Sequence, residues 1–108
     1  MYAFKGIGQL LMKERNFQVH VFALACVIAL GIYFKIQVIE WVLITIVSSI
    51  VLALEGLNTA IEKLCDEVTT ERKKSIMIIK DVAAGAVLIA AIGAAIVGVL
   101  IFWKYITA

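Results

Sequence analysis

Three uncharged, strongly apolar runs divide the chain. Val19 to Phe34 is 16 residues long and only His20 interrupts it. A membrane span needs about 20 residues, so this helix is expected over about 14–34. Trp41 to Leu54 continues without a proline into Glu55–Asp66, which predicts one long helix over about 38–68. Val82 to Trp103 has 22 residues without a charge, opened by Lys80-Asp81 and closed by Lys104 and Tyr105. It predicts a third span over about 80–105. Ahead of all three, Tyr2, Phe4, Ile7, Leu10 and Leu11 recur at helical spacing with Lys5, Gln9 and Lys13 between them. That pattern predicts an amphipathic segment over 1–13, lying at a membrane interface. Lys35 to Glu40 reads as a tight turn flanked by the interfacial aromatics Tyr33 and Trp41. Residues 69–79 read as a polar connector in which Ser75 to Ile79 can already be helical.

The second helix carries a polar line. At about 100° per residue, Glu55, Asn58, Thr59, Glu62 and Asp66 all fall within about 60° of one line down the helix, and Ser48 extends the line backwards. Carboxylates in line with a membrane-grade helix are costly and usually face a bundle interior or a water-filled cavity, where they have a task. The plainer alternative is a solvated face on a helix leaving the membrane, and Lys63 and Glu67 mark that end as partly wet.

Composition supports the membrane assignment. Of 108 residues, 64% are hydrophobic and the mean hydropathy is +1.07, against roughly 45–50% apolar residues in soluble domains. A domain this small buries only about 60% of its surface, so the excess is expected to face lipid. The chain therefore reads as a single-domain, all-α membrane protein: three transmembrane helices plus a short N-terminal amphipathic segment. No cleavable leader is expected, because Lys5, Lys13, Glu14 and Arg15 interrupt the first fifteen residues. The net charge of +2 and the lack of a basic run interleaved with aromatics argue against nucleic acid. Cys26 and Cys65 have no metal-binding spacing and read as free thiols. Gly6-Ile7-Gly8 without a preceding strand is too weak to indicate a nucleotide loop. His20 reads first as an interfacial, hydrogen-bonded histidine.

Basic residues orient the chain. Lys5, Lys13, Arg15, Lys63, Arg72, Lys73, Lys74 and Lys80 belong to one side, and Lys35 and Lys104 to the other. Eight against two predicts a cytoplasmic N-terminus and connector. Glu14, Glu55, Glu62, Asp66 and Asp81 then gather at the cytoplasmic surface. Hard oxygen ligands of this kind suit Mg²⁺, which binds through one or two carboxylates plus substrate phosphates. Lys80 and the Arg72-Lys73-Lys74 cluster supply positive charge for a polyphosphate. Metal, cations and a base are what phosphoryl transfer requires. Three short helices make a small core, so oligomerisation is expected. Ala90, Ala94 and Gly98 form a small-residue ladder suited to close helix contact.

Glu14-Arg15-Asn16 with His20, then Glu55-x-x-Asn58-x-Ala60-Ile61-Glu62-x-x-x-Asp66, then Lys80-Asp81-x-Ala83-Ala84-Gly85-Ala86-Val87-Leu88 strongly resemble the small prokaryotic diacylglycerol kinase family, including its undecaprenol kinase branch. The resemblance covers nearly the whole chain. It implies a homotrimer with active sites between neighbouring subunits at the cytoplasmic membrane surface, using Mg²⁺ and ATP to phosphorylate a membrane lipid. By position, Glu55 looks like the base for the lipid hydroxyl, Glu14 and Glu62 like the metal carboxylates, and Asn58 like the residue that orients them. Glu62 is two turns from Glu55 on the same face and could be the base instead. Tyr2, Glu14, Glu62, Asp66, Glu71, Arg72, Lys73, Lys80 and Asp81 match positions that meet the nucleotide.

Some features depart from the family's pattern. Little of the N-terminal surface helix precedes Tyr2, Arg72-Lys73 stand where some members carry an aromatic-His pair, and Gly56 replaces a larger aliphatic. The Glu14-Arg15-Asn16…His20 pattern, Ile39-Glu40-Trp41 and Ala83-Ala84-Gly85 look more like the polyprenol branch, which favours undecaprenol over diacylglycerol. Two other readings are a small proton-coupled exporter, which would need a fourth span, and a purely structural subunit, which leaves the carboxylates unexplained.

Overall fold

The computed structural model describes all 108 residues as four helices: α1 (Tyr2–Lys13), α2 (Arg15–Phe34), α3 (Val38–Val68) and α4 (Lys74–Thr107). The last three are long and apolar enough to cross a membrane. At 1.5 Å per residue, α3 and α4 run to about 46 and 51 Å, beyond a hydrocarbon core of about 30 Å. The helix carrying the third apolar run starts at Lys74, so residues 74–79 form its first turns. Nothing in Ser75–Ile79 opposes helix, and the aliphatic residues there extend the apolar face toward the connector.

The break between α1 and α2 falls on Glu14, whose backbone is extended (φ −105°, ψ 110°). The amphipathic segment thus turns away from the first span at an acidic residue. The other sharp reversal joins α2 to α3. Lys35 adopts a left-handed conformation (φ 53°, ψ 55°). The Lys35 N–H donates to the Ile32 carbonyl at 3.3 Å and the Ile36 N–H to the Gly31 carbonyl at 3.2 Å, closing α2 in the paired pattern of a Schellman end. Ile36 is buried by the turn.

α3 packs chiefly along α4, and α2 leans on α3 over a shorter stretch. The most tightly buried apolar cluster lies at the turn end: Ile36, Ile44, Ile101 and Phe102, with Phe34, Trp41 and Tyr105 against them. Glu40 binds this end together. Its Oε1 accepts the Gln37 N–H at 2.9 Å and the Tyr105 hydroxyl, while its Oε2 meets Lys104 Nζ at 2.7 Å. Within the span, Thr45 and Ser49 return their hydroxyls to the carbonyls of Trp41 and Thr45, which satisfies both donors within the helix.

Only 13 of the 108 residues are buried, and most large aliphatics of the three long helices are exposed. An extent of 54 × 32 × 19 Å describes a flat, three-helix slab with broad apolar faces.

Candidate functional site

The polar line of α3 is real, and its burial changes along its length. Glu55, Asn58 and Thr59 are buried, at 4%, 6% and 9% exposure, whereas Glu62 and Asp66 are exposed. The upper part of the line is therefore enclosed by protein, and the lower part is a wet face.

Glu55 faces α2, where His20 Nε2 approaches its Oε2 at 3.4 Å. One turn on, the Asn58 amide donates from Nδ2 to Glu62 Oε1 at 3.1 Å. Asn58 Oδ1 is buried and accepts nothing. A buried carbonyl oxygen without a donor is rare and costs about 1–3 kcal/mol.

Two cavities flank the line. One, of about 330 Å³, is an apolar groove bounded by α2, α3 and α4. His20 lies on its wall, together with Val27, Ser48, Val51, Ala94 and Gly98. A Cβ built on Gly98 would meet nothing within 4 Å. The small-residue ladder thus widens a groove at Ala94 and Gly98 and does not seat another helix of the same chain. The other cavity, of about 450 Å³, is charged and lined by Asp66, Thr69, Thr70, Glu71, Arg72, Ile76, Met77, Lys80 and Asp81. Lys80 Nζ bridges to Asp66 Oδ1 at 2.8 Å, and the Glu71 N–H donates to Thr69 Oγ1 at 3.0 Å. The turn between α3 and α4 is what folds these residues into one bowl.

The remaining sequence candidates are placed unevenly. Glu14 pairs with Lys63 at 3.3 Å, which brings the α1–α2 junction against the turn of α3 that carries Glu62. Lys73 caps the start of α4 and lines neither cavity. Tyr2 is 90% exposed at the start of α1 and likewise lines neither cavity. No three acidic, histidine or cysteine side chains of one chain cluster closely enough to hold a metal ion. The oxygen donors of Glu14, Glu62 and Asn58 nevertheless fit Mg²⁺ in kind, since that ion takes most of its ligands from water and phosphate.

Two features escaped sequence reasoning. Glu40 binds Tyr105 from 65 residues further along the chain, a separation that no local pattern encodes. Gly56 has a reason for its size: a Cβ there would stand 3.1 Å from Leu10 Cδ1, so its absence lets α1 settle on α3 beside Glu55.

A profile of the family described as prokaryotic diacylglycerol kinase matches residues 1–102. The chain belongs to that family. The undecaprenol kinase of Bacillus subtilis (strain 168) is 38% identical over 102 residues, covering 94% of this chain and 83% of the relative. The diacylglycerol kinase of Synechocystis sp. is also 38% identical, over 98 residues, covering 90% of this chain and 56% of the relative. The diacylglycerol kinase of Escherichia coli (strain K12) is 28% identical over 104 residues, covering 96% and 85%. As a member of the prokaryotic diacylglycerol kinase family, the protein is an ATP-dependent lipid kinase and a multi-pass membrane protein. The exporter and structural-subunit readings fall away.

Proposed function

We propose that this lipid kinase transfers the γ-phosphate of Mg·ATP to undecaprenol, giving undecaprenyl phosphate, at sites shared between the subunits of a homotrimer. One observation carries the reading: a single polar line on α3 runs from the wall of an apolar groove at Ser48, past buried Glu55, to the charged cavity at Asp66. Such a line suits a reaction that joins a hydrocarbon-borne hydroxyl to a water-borne polyphosphate.

In this reading the groove takes the lipid chain and delivers its hydroxyl toward Glu55, the base. Asn58 orients the Glu62 carboxylate through the bond from Nδ2. Glu14 and Glu62 would hold Mg²⁺, which would supply neutralisation of the phosphate charge. Lys80, with Asp66, Glu71, Arg72 and Asp81, receives the nucleotide in the charged cavity, and Tyr2 and Lys73 meet it from its edge. Phosphoryl transfer asks mainly for positioning and charge neutralisation, so the distances among these groups matter more than a strongly basic carboxylate.

The trimer is supported by incompleteness within one chain. Asn58 Oδ1 is buried without a donor from its own chain, and broad apolar faces remain open. A neighbouring copy would supply that donor and cover part of that surface. The excess of basic residues at the end that holds Glu14, Glu62 and Lys80 supports a cytoplasmic active site.

Undecaprenol is favoured by the polyprenol-like Glu14-Arg15-Asn16…His20 pattern and by the name of the Bacillus relative. The Synechocystis relative, at the same identity, favours diacylglycerol as the alternative. Presenting both alcohols in one bilayer and comparing kcat/KM decides between them. Undecaprenol is expected to win, and a preference for diacylglycerol would reverse the assignment.

A further inference from the structure

One basic side chain stands within 4 Å of the Glu55 carboxylate, the His20 imidazole. The Glu55 side chain is 5% exposed and that of His20 is 29% exposed. His20 also stands on the wall of the apolar groove, so one side chain touches both the place proposed for the lipid and the carboxylate proposed as base. The contact crosses from α2 to α3.

A buried carboxylate with no donor carries its full desolvation cost. Its terminal torsion is also broad, so neither oxygen has a fixed direction. A donor held against one oxygen corrects both faults. The separation of 3.4 Å is long for a hydrogen bond, but contacts of this kind tighten when the reacting group arrives.

We propose that His20 is a positioning residue for phosphoryl transfer: it holds Glu55 through Oε2, leaving Oε1 to receive the proton of an alcohol presented from the groove. The proposal rests on the reading of Glu55 given above. The alcohol oxygen forms its bond to the γ-phosphorus while its proton passes to Glu55 Oε1. The bond from the γ-phosphorus to the β,γ-bridging oxygen breaks, and ADP leaves with that electron pair. His20 neither gains nor loses a proton.

The test compares the wild type with His20→Leu, His20→Met and His20→Gln in lipid bilayers. Leu and Met fill the space without a donor, and Gln restores an N–H at similar reach. For both apolar variants, kcat is expected to fall by roughly tenfold to a hundredfold, as when partners that orient functional side chains are removed. KM for Mg·ATP should stay at its wild-type value, and His20→Gln should recover most of the rate together with the thermal stability that the apolar variants lose by leaving Glu55 without a donor. Unchanged kcat in the apolar variants, or a loss in His20→Gln as deep as in His20→Leu, overturns the proposal. A second measurement does not depend on turnover: the ¹⁵N resonance of His20 Nε2 should move on Glu55→Gln. An unmoved resonance overturns the contact. Wild-type protein that phosphorylates no lipid alcohol would sink the functional reading itself, whereas active wild type with undiminished His20→Leu removes only His20.

Discussion

Gly31 lies under the Trp41 indole so closely that a Cβ at that position would come within 2.6 Å of Cη2 and 2.8 Å of Cζ2. The α2–α3 hairpin closes because α2 offers bare backbone where α3 brings its largest ring. Ile36, 3.1 Å from the same point, fills the third side.

Gly31→Ala should therefore destabilise the protein despite the better helix propensity of alanine. Forcing one carbon into a packed contact costs about 1–3 kcal/mol, more than the gain of about 1 kcal/mol from replacing glycine in a helix. Gly93, where a Cβ meets nothing within 4 Å, is the control. Thermal unfolding in detergent should show Gly31→Ala below the wild type and Gly93→Ala at or above it.

Lys35 is the one non-glycine residue with positive φ. The left-handed conformation costs a residue with a Cβ roughly 1–2 kcal/mol. Lys35→Gly is expected to recover up to about 1 kcal/mol, since glycine has more freedom to lose on folding. An unfolding midpoint below that of the wild type would show that the lysine contributes more through its charge at the interface than its backbone costs.

Glu40 ties the first residues of α3 to the last turn of α4. Glu40→Ala removes the acceptor for Gln37, Tyr105 and Lys104 together, so its melting temperature should fall further than that of Tyr105→Phe or Lys104→Gln. Its effect on KM for ATP should be small, because the charged cavity lies at the other end of the slab. A loss no greater than that of either single partner would mean that the three contacts do not act as a unit.

Lys80 and Asp66 make a well-formed but solvent-exposed bridge. Bridges of that kind contribute little to stability, so Lys80→Gln and Asp66→Asn should leave the unfolding midpoint near the wild type. Their effect should fall on nucleotide use, raising KM for ATP. Steady-state kinetics together with a melting curve separates the two roles, and a midpoint that drops with unchanged KM would make the bridge structural.

The sequence made α3 legible because the helical period turns residues 55, 58, 59, 62 and 66 into one line; Glu55, Asn58 and Thr59 are buried as an interior stripe would be, while exposed Glu62 and Asp66 match the solvated face. The three long apolar helices were legible for the same reason: lipid imposes a length and a composition. What the period cannot convey is what lies opposite a face. Ala94 and Gly98 read as a surface for close helix contact, and within one chain they line a groove. Tyr2 matches a nucleotide position by resemblance, yet one chain leaves it exposed. Glu40 looked like part of a turn, and besides capping that turn through Gln37 it binds Lys104 and Tyr105 near the far end of the chain. His20 looked like a bland interfacial residue until α2 was laid beside α3.

The central claim is that Glu62, held by Asn58 on the polar line of α3, is required to pass phosphate from Mg·ATP to a lipid alcohol. The most direct measurement follows γ-phosphate label from ATP into undecaprenol by the wild type and by Glu62→Gln, each purified into bilayers with its oligomeric state recorded. The account predicts labelled lipid from the wild type and none from Glu62→Gln, with the oligomer unchanged. Labelling by Glu62→Gln at the wild-type rate would contradict it.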